Sequence, residues 1–234
     1  MTANGHCRHG DGTAEMHKMC ISIVPIFNHL DPSEMNEIVK HTHSISHPRG
    51  HTIYHAGNIS DGLYIVHKGR VKIYRLSENG KEQLVRILGP GDFTGELSLF
   101  SETEHDAYAE AMQNVELCVM SRDNFQMFLL KYPAISLKVL GEFANRLANT
   151  EKQAARIALE TTDTRIAMYL ADLAEDRNSS RIQLPMTRKD LASHIGTSPE
   201  TISRKLAEFE DAGWIRQLSQ REIEILDMDA LLLV

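Results

Sequence analysis

Three polar side chains in the stretch GTSPETISRKLAEFEDAG, residues 196–213, have types and spacing that suit reading a base-pair edge: Glu200, Ser203 and Arg204. An arginine bonds bidentately to guanine, a carboxylate accepts from cytosine N4, and a small hydroxyl serves either neighbour. At 100° per residue Ile202, Leu206 and Phe209 fall in one narrow arc, with Glu200, Arg204 and Ala207 opposite and Ser203 beside them. The plainer reading makes Glu200 and Arg204 an i,i+4 surface ion pair, worth about 0.2–0.5 kcal/mol. Thr187, Arg188, Lys189, Ser198 and Thr201 lie at helix starts, where hydroxyls, cations and backbone donors suit phosphates, and Lys205 joins that set.

Sulfur offers a second chemistry. Cys7, Cys20 and Cys118 are three cysteines, an odd number that does not resemble a secreted disulfide framework. The run CRHGDGTAEMHKMC supplies Cys7, His9, His17 and Cys20, a set that could hold zinc, although its loop lengths are not those of a standard finger. Cys20 and Cys118 could form a reversible disulfide if their Cα atoms approach within about 4.4–6.8 Å. Cys118 could equally be a small buried hydrophobe.

Histidines offer a third. His41, His43, His47, His51 and His55 include a His-x-His that would suit a cupin-like metal oxygenase. The carboxylate expected shortly after the pair is missing, because Ser44, Ile45, Ser46 and His47 follow. With no Ser-His-Asp, Walker or Rossmann pattern either, the chain is not expected to be an enzyme.

Four zones would position these residues. Residues 1–20 form a Cys- and His-rich arm without an apolar face. From Pro48 to about Met120, short apolar or alternating runs punctuated by glycines indicate an antiparallel sandwich or barrel, the centre of a region over 21–132 that the resemblance described below makes a sensor. After Pro133 the period lengthens: Leu140, Phe143, Leu147, Thr150, Ala154 and Ile157 trace the a/d seam of a coiled coil, a dimerisation helix over 133–160. Residues 161–234 read as three helices and a hairpin, a winged helix-turn-helix, with Gly196 ending one helix, Ser198 capping the next and Pro199 at its first position.

A chain of 234 residues with net charge −7 does not coat nucleic acid by charge alone, so any binding to it must be local and shaped. No run approaches the roughly 20 apolar residues of a membrane span, and the polar N-terminus lacks the apolar core of a signal peptide. A cytoplasmic protein with reduced thiols and no membrane contact is the expectation.

The run MTRKDLASHIGTSPETISRKLAEFEDAGWI resembles the helix-turn-helix of the CRP/FNR family of bacterial transcription regulators. The resemblance extends upstream through the long helix to GDFTGELSLF, which is similar to the family's phosphate-binding cassette. It implies an α+β chain: an N-terminal cyclic-nucleotide-binding-like β-roll (jelly roll), a long dimerisation helix and a C-terminal winged helix-turn-helix. Carried over by residue, Glu200, Ser203 and Arg204 fall on the family's base-reading positions, in the order ETISR typical of FNR-like members. Pro199 stands where the cAMP-dependent members carry a further base-contacting arginine, which favours an FNR-like TTGA half-site.

Those members meet the nucleotide phosphate with an Arg-Ser pair just after the cassette. Here the stretch is SETEHDAYAEA, and residues 87–121 contain no Lys or Arg, so cAMP is not expected and Glu96 is read as a barrel residue kept from ancestry. The resemblance places Cys118 at the distant ligand of an FNR-like iron–sulfur cluster, with Cys7 and Cys20 in the arm that holds the others. A Cys-only cluster takes four thiolates, so the fourth ligand would come from His17 or His9, from His6, Asp11 or Glu15, or from a small thiol. The alternatives are a Cys20–Cys118 disulfide, zinc, or a barrel without cofactor that answers another small molecule.

The implied partners are double-stranded DNA with a palindromic operator, RNA polymerase, and a second copy of the chain, with half-sites about 34 Å apart. FNR-like members that monomerise in air carry an acidic seam residue where Thr150 stands, so switching by helix rotation within a lasting dimer is expected.

Overall fold

The computed structural model describes residues 21–59, 62–96, 100 and 104–234. The arm, with Cys7, His9, His17 and Cys20, lies outside the described residues. The chain divides into two compact units: the first takes the described residues up to Ile73 together with Ile87–Ala144, the second Tyr74–Arg86 with Asn145–Val234. The division falls inside the long helix, and the outer part of one hairpin groups with the C-terminal unit.

Helix α1 (Pro32–Lys40) is started by Asp31, whose carboxylate accepts from the backbone N–H of Ser33 and Glu34 while the Glu34 side chain returns the bond. Eight strands follow: β1 (Thr42–His47), β2 (Thr52–Tyr54), β3 (Gly62–Lys68), β4 (Val71–Leu76), β5 (Glu82–Leu88), β6 (Phe93–Thr94), β7 (Tyr108–Ala111) and β8 (Val115–Ser121). They build one sheet in the order β1-β8-β3-β6 and another in the order β2-β7-β4-β5, and the pairings described are antiparallel. This is the β-roll expected of the sensor region. Gly69, between β3 and β4, takes a positive φ of 93°. A Cβ there would come within 2.6 Å of the Asn114 carbonyl, so the turn requires glycine.

Strand β8 is paired on both sides, with β1 and β3, and its residues are buried on both faces. Leu117 and Val115 join a cluster with Tyr54, Val71 and Ile73. Cys118 and Met120 join the other, with Ile21, Phe27, Ile38, Phe93, Phe125 and Phe128. Helix α2 (Arg122–Lys131) starts at once, capped by Ser121, and contributes Phe125 and Phe128 to the second cluster.

Helix α3 (Pro133–Leu159) runs for 27 residues, of which only Ile135 and Val139 are buried. In the second unit, α4 (Thr162–Arg177) ends on Asn178 in the left-handed conformation. After it come β9 (Arg181–Gln183), α5 (Arg188–Ile195), α6 (Pro199–Asp211), β10 (Ile215–Gln217), β11 (Glu222–Ile225) and a short α7 (Met228–Leu232). The three strands pair antiparallel as β10-β11-β9, so two helices joined by a tight turn carry a small sheet beside them. That is a winged helix-turn-helix. Among the described residues, no helix is long and apolar enough to cross a membrane.

Candidate nucleic-acid interface

Local chemistry fixes the angle between α5 and α6. Thr187 caps α5 in a reciprocal box with Asp190, Gly196 ends it at φ 82°, and Ser198 caps α6 by accepting from the Thr201 N–H at 3.2 Å. Pro199 sits at the first helical position, where no backbone donor is needed. The break between the helices is Gly196, Thr197 and Ser198.

Helix α6 buries Ile202, Leu206 and Phe209 and turns Glu200, Ser203, Arg204 and Ala207 outward. The apolar arc read from the sequence is therefore the buried face. Around it, Ser193 on α5 accepts from the Leu84 N–H at 2.7 Å and donates to the Glu82 carbonyl at 2.8 Å. Gln83 and Gln153 both donate to the His194 carbonyl. These bonds join α5 to the hairpin and long-helix residues that group with the C-terminal unit. His194 itself is largely buried against Tyr169, their ring centroids 5.5 Å apart, and burial holds its pKa below the ordinary value. Burial also raises the Tyr169 hydroxyl well above the usual tyrosine range.

The ion pair formed on the outer face is not the one read from the sequence. Arg204 does not pair with Glu200; its Nη1 donates to Glu208, one turn further on, at 3.0 Å. The Glu200 carboxyl is held below its usual range by its own backbone N–H and then by Ser198, so it sits ionised at the helix start as an acceptor. Lys205, one residue after Arg204, bonds Asp163 of α4 at 2.6 Å and Glu208 at 2.7 Å, and its side chain is only 16% exposed. That engagement takes Lys205 off the surface set of cations, whereas Lys189 is exposed.

Thr187, Arg188 and Ser203 line an open cavity of about 330 Å³ together with Gln220 and Arg221. Arg188 donates to Gln217 at 2.6 Å, and Gln217 in turn donates twice to Glu210, so this arginine is braced against β10. Gln220 and Arg221 come from the turn between β10 and β11 and were not among the residues singled out from sequence. The hairpin WIRQLSQREIEIL was legible, but which of its turn residues would face α6 depends on how β10 and β11 pack. A cleft flanked by Arg188 and Arg221, with hydroxyls from Thr187 and Ser203, can accept a phosphate oxygen through charge-assisted bonds.

The sulfur and histidine candidates are separated. Cys118 is 1% exposed, between Ser44 of β1 and Ile65 of β3. His41 contacts the Glu37 carbonyl and the edge of Phe128, His47 stacks on His51 at 4.3 Å, and His55 meets Tyr108. Among the described residues, no three His, Cys, Asp or Glu side chains converge as a metal site.

Comparisons with known proteins agree with this architecture. Residues 44–132 match the family model of the cyclic nucleotide-binding domain, and residues 164–233 match that of the Crp-like helix-turn-helix domain. The probable transcriptional regulator flp of Lacticaseibacillus casei is 33% identical over 210 residues, covering 90% of this chain and 95% of that one. The chain belongs to the CRP/FNR family. A relative from Mycobacterium tuberculosis, a CRP-like cAMP-activated global transcriptional regulator, is also 33% identical, over 88% of this chain and 94% of its own.

Among solved structures, FixK2 of Bradyrhizobium japonicum superposes with a TM-score of 0.71 at 24% identity, covering 81% of this chain and 95% of that one. A CooA variant from Carboxydothermus hydrogenoformans reaches 0.74 at 22% identity, over 83% of this chain and 88% of its own; both show a shared fold. CRP/FNR members are transcription regulators and not enzymes, so the oxygenase reading of the histidines falls away.

Proposed function

We propose that this CRP/FNR regulator reads TTGA-type half-sites through Glu200, Ser203 and Arg204 and answers redox state through Cys118 and the cysteines of the arm. Double-stranded DNA is the ligand of the winged domain. Three outward side chains on α6 carry the reading: a donor fork, an ionised acceptor and a hydroxyl within five residues of one helix. Lys189, Thr187, Ser198, Thr201 and the Arg188 cleft serve the phosphates on either side and set register.

Helix α3 supports a homodimer on a palindromic operator. Leu140, Leu147 and Ile157 are 62%, 60% and 46% exposed, a row of large apolar side chains at seam spacing with Thr150 and Ala154 also exposed. Phe143 is half-buried and meets Phe100 edge-on. A second copy covering that stripe places two α6 helices for successive half-sites, and contacts with RNA polymerase follow from family membership.

Position supports the redox reading. Ile21, the residue after Cys20, is fully buried in the same apolar cluster as Cys118. An iron–sulfur cluster would supply one-electron chemistry and oxygen lability when bound. The described residues bring it one thiolate, and the three cysteines leave one position to a histidine or carboxylate of the arm. The aliphatic and aromatic wall around Cys118 favours a neutral sulfur, since an ion buried there is costly. A Cys20–Cys118 disulfide is therefore the second form of the same proposal. Cyclic AMP is left out of it because the stretch SETEHDAYAEA follows the cassette and residues 87–121 contain no Lys or Arg.

Anaerobic purification with an absorption spectrum and iron, sulfide and zinc assays, then exposure to air, tests the sensor. A band near 400 nm with stoichiometric iron and sulfide that bleaches in oxygen supports the cluster. An iron-free protein that loses two free thiols on oxidation, with altered DNA affinity, supports the disulfide. A protein that shows no such band and loses no thiol on oxidation would overturn the redox reading.

A further inference from the structure

We propose that Glu208 positions Arg204 for base reading and is a specificity-determining residue of the recognition helix without itself touching DNA. The inference rests on the reading of Arg204 as a base reader. Glu208 accepts from Arg204 Nη1 at 3.0 Å through Oε1 and from Lys205 Nζ at 2.7 Å through Oε2. The same ammonium bonds Asp163 on α4 at 2.6 Å, which makes a chain from α4 through Lys205 and Glu208 to Arg204.

An ordinary i,i+4 pair between exposed side chains is loose and contributes little. This one differs because the second carboxylate oxygen is fixed by a cation that is itself mostly buried and tied to another helix. Glu208 is also held ionised, first by Lys205 and then by Arg204. A guanidinium anchored through Nη1 keeps Nη2–H and Nε–H as a parallel pair, the fork that guanine O6 and N7 accept.

Rotamer freedom that a long arginine loses on binding is then already lost in the free protein. Glu208 lies eight residues beyond Glu200, about 12 Å along the helix axis. The brace is thus behind the reading end of α6 and need not enter the groove.

The test uses the full-length protein. Selection from random duplexes first fixes the preferred half-site; a result other than TTGA removes that half-site reading, and the brace is then measured on the selected sequence. Fluorescence anisotropy next compares wild type with Glu208→Gln, Asp163→Asn, Arg204→Ala and the Glu208→Gln/Arg204→Ala double variant on specific and random duplexes. The brace predicts that Glu208→Gln lowers the specific-to-random affinity ratio about three- to tenfold with random binding unchanged. Asp163→Asn, remote from the reading face, moves the ratio the same way by less. In the double variant the Glu208 change adds nothing to the Arg204 change.

Tighter binding of both duplexes alike by Glu208→Gln would show simple removal of a negative charge and overturn the proposal. So would additive losses in the double variant, or full discrimination retained by Arg204→Ala.

Discussion

Arg204 and Cys118 are both chemically capable residues in regular structure, yet the Arg204 side chain is 59% exposed on α6 while Cys118 is 1% exposed inside β8. The arginine's outward direction follows from helical period and one amphipathic arc, so its availability is a local property. The cysteine's position depends on two neighbouring strands, a helix that starts after β8 and the segment that begins at Ile21. A reader on a surface helix can be altered without disturbing the fold. A sulfur in the core cannot be changed without changing packing as well.

The largest effect should come from the buried side of the recognition helix. Phe209→Ala removes a ring that is 2% exposed and should cost about 3–5 kcal/mol of stability. Denaturant melts of the variant check it, with DNA affinity lost on every sequence alike. Arg204→Ala, on the opposite face, should leave the melt unchanged and cost about 1–3 kcal/mol of discrimination. Equal losses on specific and random DNA in that variant would break the contrast between the two faces.

Cys118→Ala sharpens the other half of the comparison. It should cost about 1 kcal/mol of stability and leave binding under reducing conditions intact, while abolishing the response to oxidation measured on the same duplex. A variant that still responds would place the switch outside β8.

A smaller, pH-dependent effect belongs to His194. Burial lowers its folded pKa below the ordinary 6.5, so as pH falls through that value the unfolded chain takes up the proton first. The stability contribution is complete above about pH 6.5 and is lost below it. His47, lowered by burial and then by His51, acts in the same direction in the other unit. Urea titrations on either side of that pH should show the loss, and His194→Gln should flatten the part that belongs to the C-terminal unit. The smallest effects separate two lysines. Lys189→Ala should lower the salt slope of binding by about one for all sequences, and Lys205→Met should leave the slope unchanged because Lys205 is engaged by Asp163 and Glu208.

Most of the winged domain was legible because its signals are local. Thr187 with Asp190, Gly196, Ser198 and Pro199 each stand at the position their chemistry prefers, and the structure uses every one of them in a cap or a turn. The charge pairing on α6 was not legible. Glu200 and Glu208 are both four residues from Arg204, and only the cap at one end and Asp163 on α4 decide which carboxylate it meets. Lys205 resembled a phosphate cation for the same reason, since its engagement depends on a residue 42 positions earlier. Gln220 and Arg221 were missed because a hairpin turn shows in sequence only as a turn.

Period and capping residues by themselves determined the long helix, the helix Pro199–Asp211 and its outward residues, because each of these depends on neighbours within a few turns, while the fold class as a β-roll came from the family resemblance. Tertiary structure alone decided that Cys118 lies in an apolar cluster shared with Ile21, that Arg204 is braced by Glu208, and that the wing lines the cleft beside Arg188. Those outcomes join residues far apart in the chain, and their energies arise only once burial and strand register have brought the partners together.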